Sequence, residues 1–311
     1  LTKVNQFIFF DFEMLCSNRG MPYKDMHAIR LGAVKYDLET EAITYFDRYI
    51  KPKDFKSLSR FCENLTGIHN SDIRSANNFK TVFSEFLSWV HGIKRSRFFS
   101  WSSNDFTRLQ LDAEFANIPL STIKKIKNRY VDFQAVFSKR VSKNPMSVEN
   151  ALSLYDLTFV GEQHNPMYDA YNTFRIYHSF SNNPIKSDLI MLEHYLLTLE
   201  NDQQNKSINS RVINNLQLDI HNYLNELQDI YRINHVKKVL RKTYKLVEKY
   251  KAILVNRSGL FSQQCIEHVQ SLQEFHNNLL QTYEEHLSYD SKIVMFDEYL
   301  TDPLHQLSST N

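Results

Sequence analysis

The sequence predicts a mixed α/β domain followed by an all-α region, and three observations carry that reading. Residues 6–12 (QFIFFDF) are almost wholly apolar, as a central strand covered on both faces would be. Residues 29–37 and 43–50 are strand-like runs joined by a short polar turn at 38–41, which predicts a hairpin. After Asn182, Asn183 and Pro184 the alternation of strands and helices stops, and no convincing strand follows.

The remaining elements follow in order. Phe79, Val82, Phe83, Phe86 and Val90 keep helical spacing, so 78–90 reads as a helix. Residues 97–101 (RFFSW) predict another strand, and 106–115 the helix behind it. A short strand at 130–133 leads to helices around 134–140 and 147–155, and a last helix spans about 166–181. A strand, an antiparallel hairpin and then strand–helix alternation imply a mixed sheet flanked by helices. Beyond residue 184, Val236, Leu240, Val247, Tyr250 and Leu254 recur at helical spacing. Three or four long helices are expected there, packed as hairpins or a small bundle. The expected domains are therefore 1–183 and 184–311.

Bulk composition narrows the class without naming a function. A chain of 311 residues, 42% hydrophobic and 23% charged, is an ordinary globular protein. Its 6 Gly and 7 Pro are too few for a disordered or loop-rich chain. A formal charge of +2 is too small to imply nucleic-acid binding by itself. Cys16, Cys62 and Cys265 form no CxxC pair and no zinc-ligand spacing. There is no Arg-rich transit pattern, and no apolar run approaches the roughly 18 residues that span a bilayer. The expected setting is cytoplasmic, with reduced thiols and no membrane partner.

Three short segments carry chemistry. In Asp11-Phe12-Glu13 the two carboxylates share one face of the strand, because side chains alternate along it. Such a pair repels itself unless a cation sits between, although a solvated strand end is the plainer alternative. Asp105, in SWSSND, lies where a strand gives way to a helix, at the carboxyl end where sheet ligands collect. It would also suit a helix N-terminus. His164 and Asp169 lie in HNPMYD, where Pro166 suits the first helical position and Asn165 its cap. That leaves His164 on a loop and Asp169 one turn inside the helix. Four carboxylates on element ends plus a loop His are what a two-metal phosphodiesterase needs. Oxygen ligands suit Mg²⁺ or Mn²⁺, two ions about 4 Å apart would activate water and stabilise the leaving oxygen, and His164 would take the proton.

These residues resemble the DEDDh, or DnaQ-like, 3′–5′ exonucleases, whose fold is RNase H-like: a mixed five-stranded sheet flanked by helices. Asp11 and Glu13 match the family's first motif, Asp105 its second, and His164 with Asp169 its H-x4-D. RLGAV (30–34), IKP (50–52) and LTGIHNSDI (65–73) look like its flanking segments. The DFE form with Cys16, and ENALSLYDLTFVGEQH, look most like the ERI/KapD-type branch, many of whose members trim RNA 3′ ends. The resemblance covers about 5–182. It implies that Asp11 bridges two metals, that Glu13 and Asp169 complete one site, that Asp105 supports the other, and that His164 is the general base. Two positions depart. Pro166 replaces a small residue, and Arg30 stands where an acid is common, a change expected to alter a surface contact only.

Candidate substrate contacts lie outside these motifs. The stretch 17–27 would rim the site, with Tyr23 as a stacking face or simply part of an exposed loop. Leu65 and Thr66 resemble the segment that approaches the 3′-terminal nucleotide. Within 232–251, Lys238, Arg241 and Lys245 belong to a basic stripe that would hold a phosphate backbone or be a solvated helix face. The expected partners are single-stranded RNA or DNA 3′ ends, RNA preferred on the branch resemblance, with a homodimer or protein partner possible through the helical tail. The competing reading is a nucleic-acid-binding or scaffold protein that works mainly through that tail.

Overall fold

The computed structural model describes residues 3–196 and 208–309. The chain divides into two compact units, one of 1–138 with 144–182 and one of 139–143 with 183–311.

The first unit is built on a five-stranded sheet of order β3-β2-β1-β4-β5. β1 (Gln6–Met14) pairs antiparallel with β2 (Ala28–Asp37), which pairs antiparallel with β3 (Ile43–Tyr49). On its other side β1 runs parallel to β4 (Ser96–Ser100), and β4 parallel to β5 (Tyr130–Asp132). Alternation along β1 sorts its aromatics between two cores. Ile8, Phe10 and Phe12 enter a cluster with α3 (Phe79–Val90) and α4 (Ser103–Phe115). Phe7 and Phe9 turn the other way, against Phe99, Tyr177 and Phe174. The latter two residues belong to α8 (Pro166–Asn182), which lies across β1 and β2. The other helices of this unit are short: α1 (Arg60–Thr66), α2 (Asn70–Arg74), α5 (Leu120–Lys127), α6 (Phe133–Phe137) and α7 (Val148–Ser153).

One close approach fixes where α8 begins. Gly32 faces Asp11 across the β1–β2 ladder, and a Cβ there would lie 1.9 Å from the Met167 nitrogen. Only a residue without a side chain lets the first turn of α8 rest on the sheet beside Asp11.

The second unit is largely helical. It contains α9 (Pro184–Tyr195), α10 (Ile208–Asn225), α11 (Ile233–Tyr250), α12 (Gln263–Ser288) and α13 (Glu298–Ser309). Val236, Leu240, Val247 and Tyr250 of α11 are buried with Val212, Leu216, Leu272 and Phe275, while Leu254 packs at the edge of that core.

One expectation needs correction here. The region is not all-α, because β6 (Ile230–Arg232) and β7 (Ile293–Met295) form a two-stranded antiparallel ladder. Three residues per strand are too few to show a period of two. The described residues hold three helices of 18 residues or more here, α10, α11 and α12, together with the 12-residue α9 and α13. No helix among the described residues is long and apolar enough to cross a membrane.

Gly32→Ala is expected to cost about 2 kcal/mol or more by overpacking, since backbone atoms would have to move. Urea unfolding measures it, and a midpoint equal to that of the parent chain would contradict the assigned contact.

Candidate active site

Asp11 and Glu13 project from the same face of β1, and the α8 start supported by Gly32 carries Asp169 to them. One carboxylate oxygen from each of Asp11, Glu13 and Asp169 lies within 4.8 Å of the others, a grouping that could hold a metal ion. Asp105 approaches from α4. That helix begins three residues earlier than the sequence suggests, with Ser102 as its cap, so Asp105 lies inside its first turn. Its carboxylate accepts its own first-turn N–H and also the Phe12 N–H of β1 at 3.2 Å, and it hydrogen-bonds the Asp11 carboxyl.

His164 sits on the loop before α8, in a left-handed conformation (φ 61°). Its Nδ1 is 3.8 Å from the Glu13 carboxylate, and half of its side chain is exposed. Its backbone N–H donates to Asp169. The Asn165 side chain accepts the Met167 N–H at 3.2 Å, securing the helix start. The loop is pinned from behind. Asn172, fully buried, donates to the carbonyls of Val160 and Tyr168 and accepts the Val160 N–H. The Tyr168 ring occupies the space a side chain at Gly161 (φ 86°) would take.

The gathered carboxylates repel one another and are partly cut off from water, which favours their protonated form or a bound cation. Burial, followed by the fields of Asp105, Asp169 and Glu13, raises the Asp11 pKa well above the ordinary range. Burial and the neighbouring Asp169 and Asp105 push Glu13 up to about 8. Burial pushes Asp105 and Asp169 up to about 7 each, against lowering hydrogen bonds from Phe12 N–H and His164 N–H respectively. Arg30 is the cation that eases Glu13, its partner across the strand pair. Its guanidinium, however, is forked onto Asp47 at 2.8 and 2.6 Å and lies over the Tyr49 ring. With only 12% of the side chain exposed, Arg30 is a packed ion pair rather than the altered surface contact expected from sequence.

Of the candidate substrate contacts, Tyr23 stands near this centre. Its hydroxyl donates to the Asn104 carbonyl at 2.6 Å, beside Asp105. Leu65 is exposed at the end of α1, while Thr66 is buried with its hydroxyl donated to the Cys62 carbonyl. That helix is tied to the segment after Glu13 by Ser59, which donates to the Cys16 carbonyl. Lys238, Arg241 and Lys245 are exposed on α11, in the other unit. Two further members of that stripe are already paired, Lys242 with Glu226 and Lys249 with Asp219, both at 2.5 Å.

Sequence reasoning missed the buried Arg108. Its guanidinium donates to Asp112 at 2.8 Å and to the carbonyls of Tyr23 and Met26 at 2.9 Å. Asp112 also accepts the Ala28 N–H and meets His27 Nδ1, both at 2.9 Å. One buried ion pair thus fixes the 17–27 connection against the helix bearing Asp105. The i, i+4 spacing of Arg108 and Asp112 was the available signal.

Two outcomes follow. Arg108→Met leaves Asp112 buried without its cation, and urea unfolding should register a loss of about 3 kcal/mol or more; a loss near zero would contradict the assigned role. Without metal, the raised carboxylates bind protons in the folded state that the unfolded chain releases. Their contribution is therefore fully present below the ordinary range near 4 and is lost as pH rises through about 7 to 8. A divalent cation should consequently raise the unfolding temperature more at about pH 8 than at about pH 5. Equal increments at both would contradict a cation held by these groups.

The comparisons agree with this architecture. The family model described as RNase_T: Exonuclease matches residues 8–177. Human ERI1 exoribonuclease 2 is 24% identical over 234 residues, 68% of this chain and 33% of that protein. The 3′–5′ exonuclease Snipper of Drosophila melanogaster is 27% identical over 184 residues, 52% of this chain and 64% of the fly protein. The chain thus spans about a third of the length of the human relative. The nuclease domain of 3′hExo, a DEDDh family member solved with bound rAMP, superposes with a TM-score of 0.52 at 20% identity. That match covers 59% of this chain and 95% of that domain and speaks for the shared fold. With more than half of its length matched, the chain belongs to the RNase_T exonuclease family, among the DEDDh 3′–5′ exonucleases related to ERI1- and KapD-type proteins.

Proposed function

We propose that the chain is a metal-dependent 3′–5′ exonuclease that hydrolyses the terminal phosphodiester bond of a single strand and releases nucleoside 5′-monophosphates. The observation that carries this reading is the convergence of Asp11, Glu13 and Asp169, with Asp105 hydrogen-bonded to Asp11. An all-oxygen donor set fits Mg²⁺ or Mn²⁺. Asp11 would be shared by two ions, Glu13 and Asp169 would complete one site, and Asp105 would support the other. When bound, the ions would supply Lewis-acid stabilisation of the attacking and leaving oxygens.

The protein's own groups supply the rest. His164 is exposed enough to meet water, and its 3.8 Å approach to Glu13 keeps the imidazole beside the carboxylates. It would take the attacking water's proton, and its loop, braced by Asn172, would hold it for that transfer. Tyr23 offers a ring for the terminal base, and Leu65 an apolar contact on the α1 side. Thr66 would shape the end of that helix. RNA is the preferred substrate in this reading, in keeping with the names of the exoribonuclease relatives, through contacts to the 2′-hydroxyl. Residues 1–183 would form the nuclease domain of a cytoplasmic protein. Residues 184–311 would form a module contacting phosphates through Lys238, Arg241 and Lys245, or a second protein chain.

Matched 3′-labelled and 5′-labelled RNA and DNA strands, incubated with Mg²⁺ or Mn²⁺, test the reading. Stepwise shortening from the 3′ end is expected, faster on RNA and abolished by Asp11→Asn. His164→Ala should lower kcat by about 10²- to 10⁴-fold. Intact strands, internal cleavage, or an active Asp11→Asn protein would overturn the proposal.

A further inference from the structure

The first unit carries a second concavity that this reaction does not use. Alternation along β1 turns Phe12 to the face opposite Asp11 and Glu13. Its ring stacks against Phe79 at 6.5 Å, and Phe79 lines a cavity of about 610 Å³. That volume lies within the range of small-molecule sites.

The lining has two characters. Phe79 and Ile50 are buried and give an apolar floor, while Phe115 is 60% exposed beside the His27 ring, centroids 5.1 Å apart. The rim carries Lys51, Lys53 and Lys80, all exposed. Lys51 is turned to the Arg74 carbonyl at 3.2 Å, whereas Lys53 and Lys80 have no ion pair among the described residues. The acids facing the cavity are Asp54 and Asp112. Asp112 is compensated internally, since Arg108, His27 and the Ala28 N–H use its oxygens. Its grip on His27 Nδ1 leaves Nε2 for a ligand. Positive charge therefore prevails at the rim, beside two aromatic rings.

A ligand suited to this lining joins a flat aromatic group to an anion. We propose that the cavity binds one nucleotide unit, its base against Phe115 and His27 and its phosphate at Lys53 and Lys80. The unit comes either from a free nucleoside monophosphate or from within a strand. The site is separate from the carboxylate centre, and the inference stands whether or not that centre degrades nucleic acid.

Calorimetric titration of the full chain in EDTA, with 5′-AMP, a six-nucleotide RNA and inorganic phosphate as separate probes, tests it. Phe115→Ala and the double variant Lys53→Ala/Lys80→Ala truncate exposed side chains and spare the fold. Each should weaken nucleotide binding by about 10-fold. Weakening seen with 5′-AMP identifies a free nucleotide as occupant, and weakening confined to the oligonucleotide identifies a unit within a strand. The proposal is overturned if neither probe responds to the variants, or if inorganic phosphate binds as tightly as 5′-AMP.

Discussion

The contact on which the rest of the candidate site depends is the seating of α8 on Gly32. Asp11 and Glu13 lie on a strand whose place is fixed by the sheet, but Asp169 and His164 arrive about 150 residues later in sequence. They reach the strand because Gly32 lets the backbone of Pro166 and Met167 rest where a Cβ would otherwise be. Pro166 starts the helix at that point, and Asn165 secures its first turn. The aromatic core of Phe9, Phe174 and Tyr177 then holds the helix along the sheet. Packing thus sets the distance, and the distance sets the chemistry.

That distance has an electrostatic consequence. Four carboxylates are gathered with one nearby guanidinium, Arg30, already forked onto Asp47. The contrast with Asp112 is instructive. There a buried carboxylate has a cation of its own, the Arg108 guanidinium at 2.8 Å. At the Asp11 centre no comparable partner stands among the described residues, so either protons or a bound cation must answer the charge. The same Arg108–Asp112 pair holds the 17–27 connection against α4. The two kinds of buried carboxylate are therefore linked through one helix: one braces the frame, and the other is presented by it.

Much of this was legible in the sequence because it rests on local rules. The apolar run of β1, the β2–β3 hairpin and the Pro-initiated α8 each announce themselves by alternation or by residue type. The three acidic motifs could be read because each sits at an element end. What stayed hidden depends on contacts distant in sequence. Arg108 reads as an ordinary exposed helical arginine until β2 and the 23–26 turn are folded over it. Asn172 looks like a polar residue on a helix surface, and nothing local shows that it brackets residue 160. Arg30 looked like a surface change because its partner Asp47 belongs to the next strand. The β6–β7 ladder was missed because strands of three residues, over 60 positions apart, carry no period to detect.

Whether the gathered carboxylates are a divalent-cation centre is the central claim, and diffraction at the manganese edge tests it most directly. Crystals grown with Mn²⁺ and 5′-AMP should show one anomalous peak among Asp11, Glu13 and Asp169 and a second between Asp11 and Asp105. Saturating Mn²⁺ with no peak at these carboxylates would contradict the account.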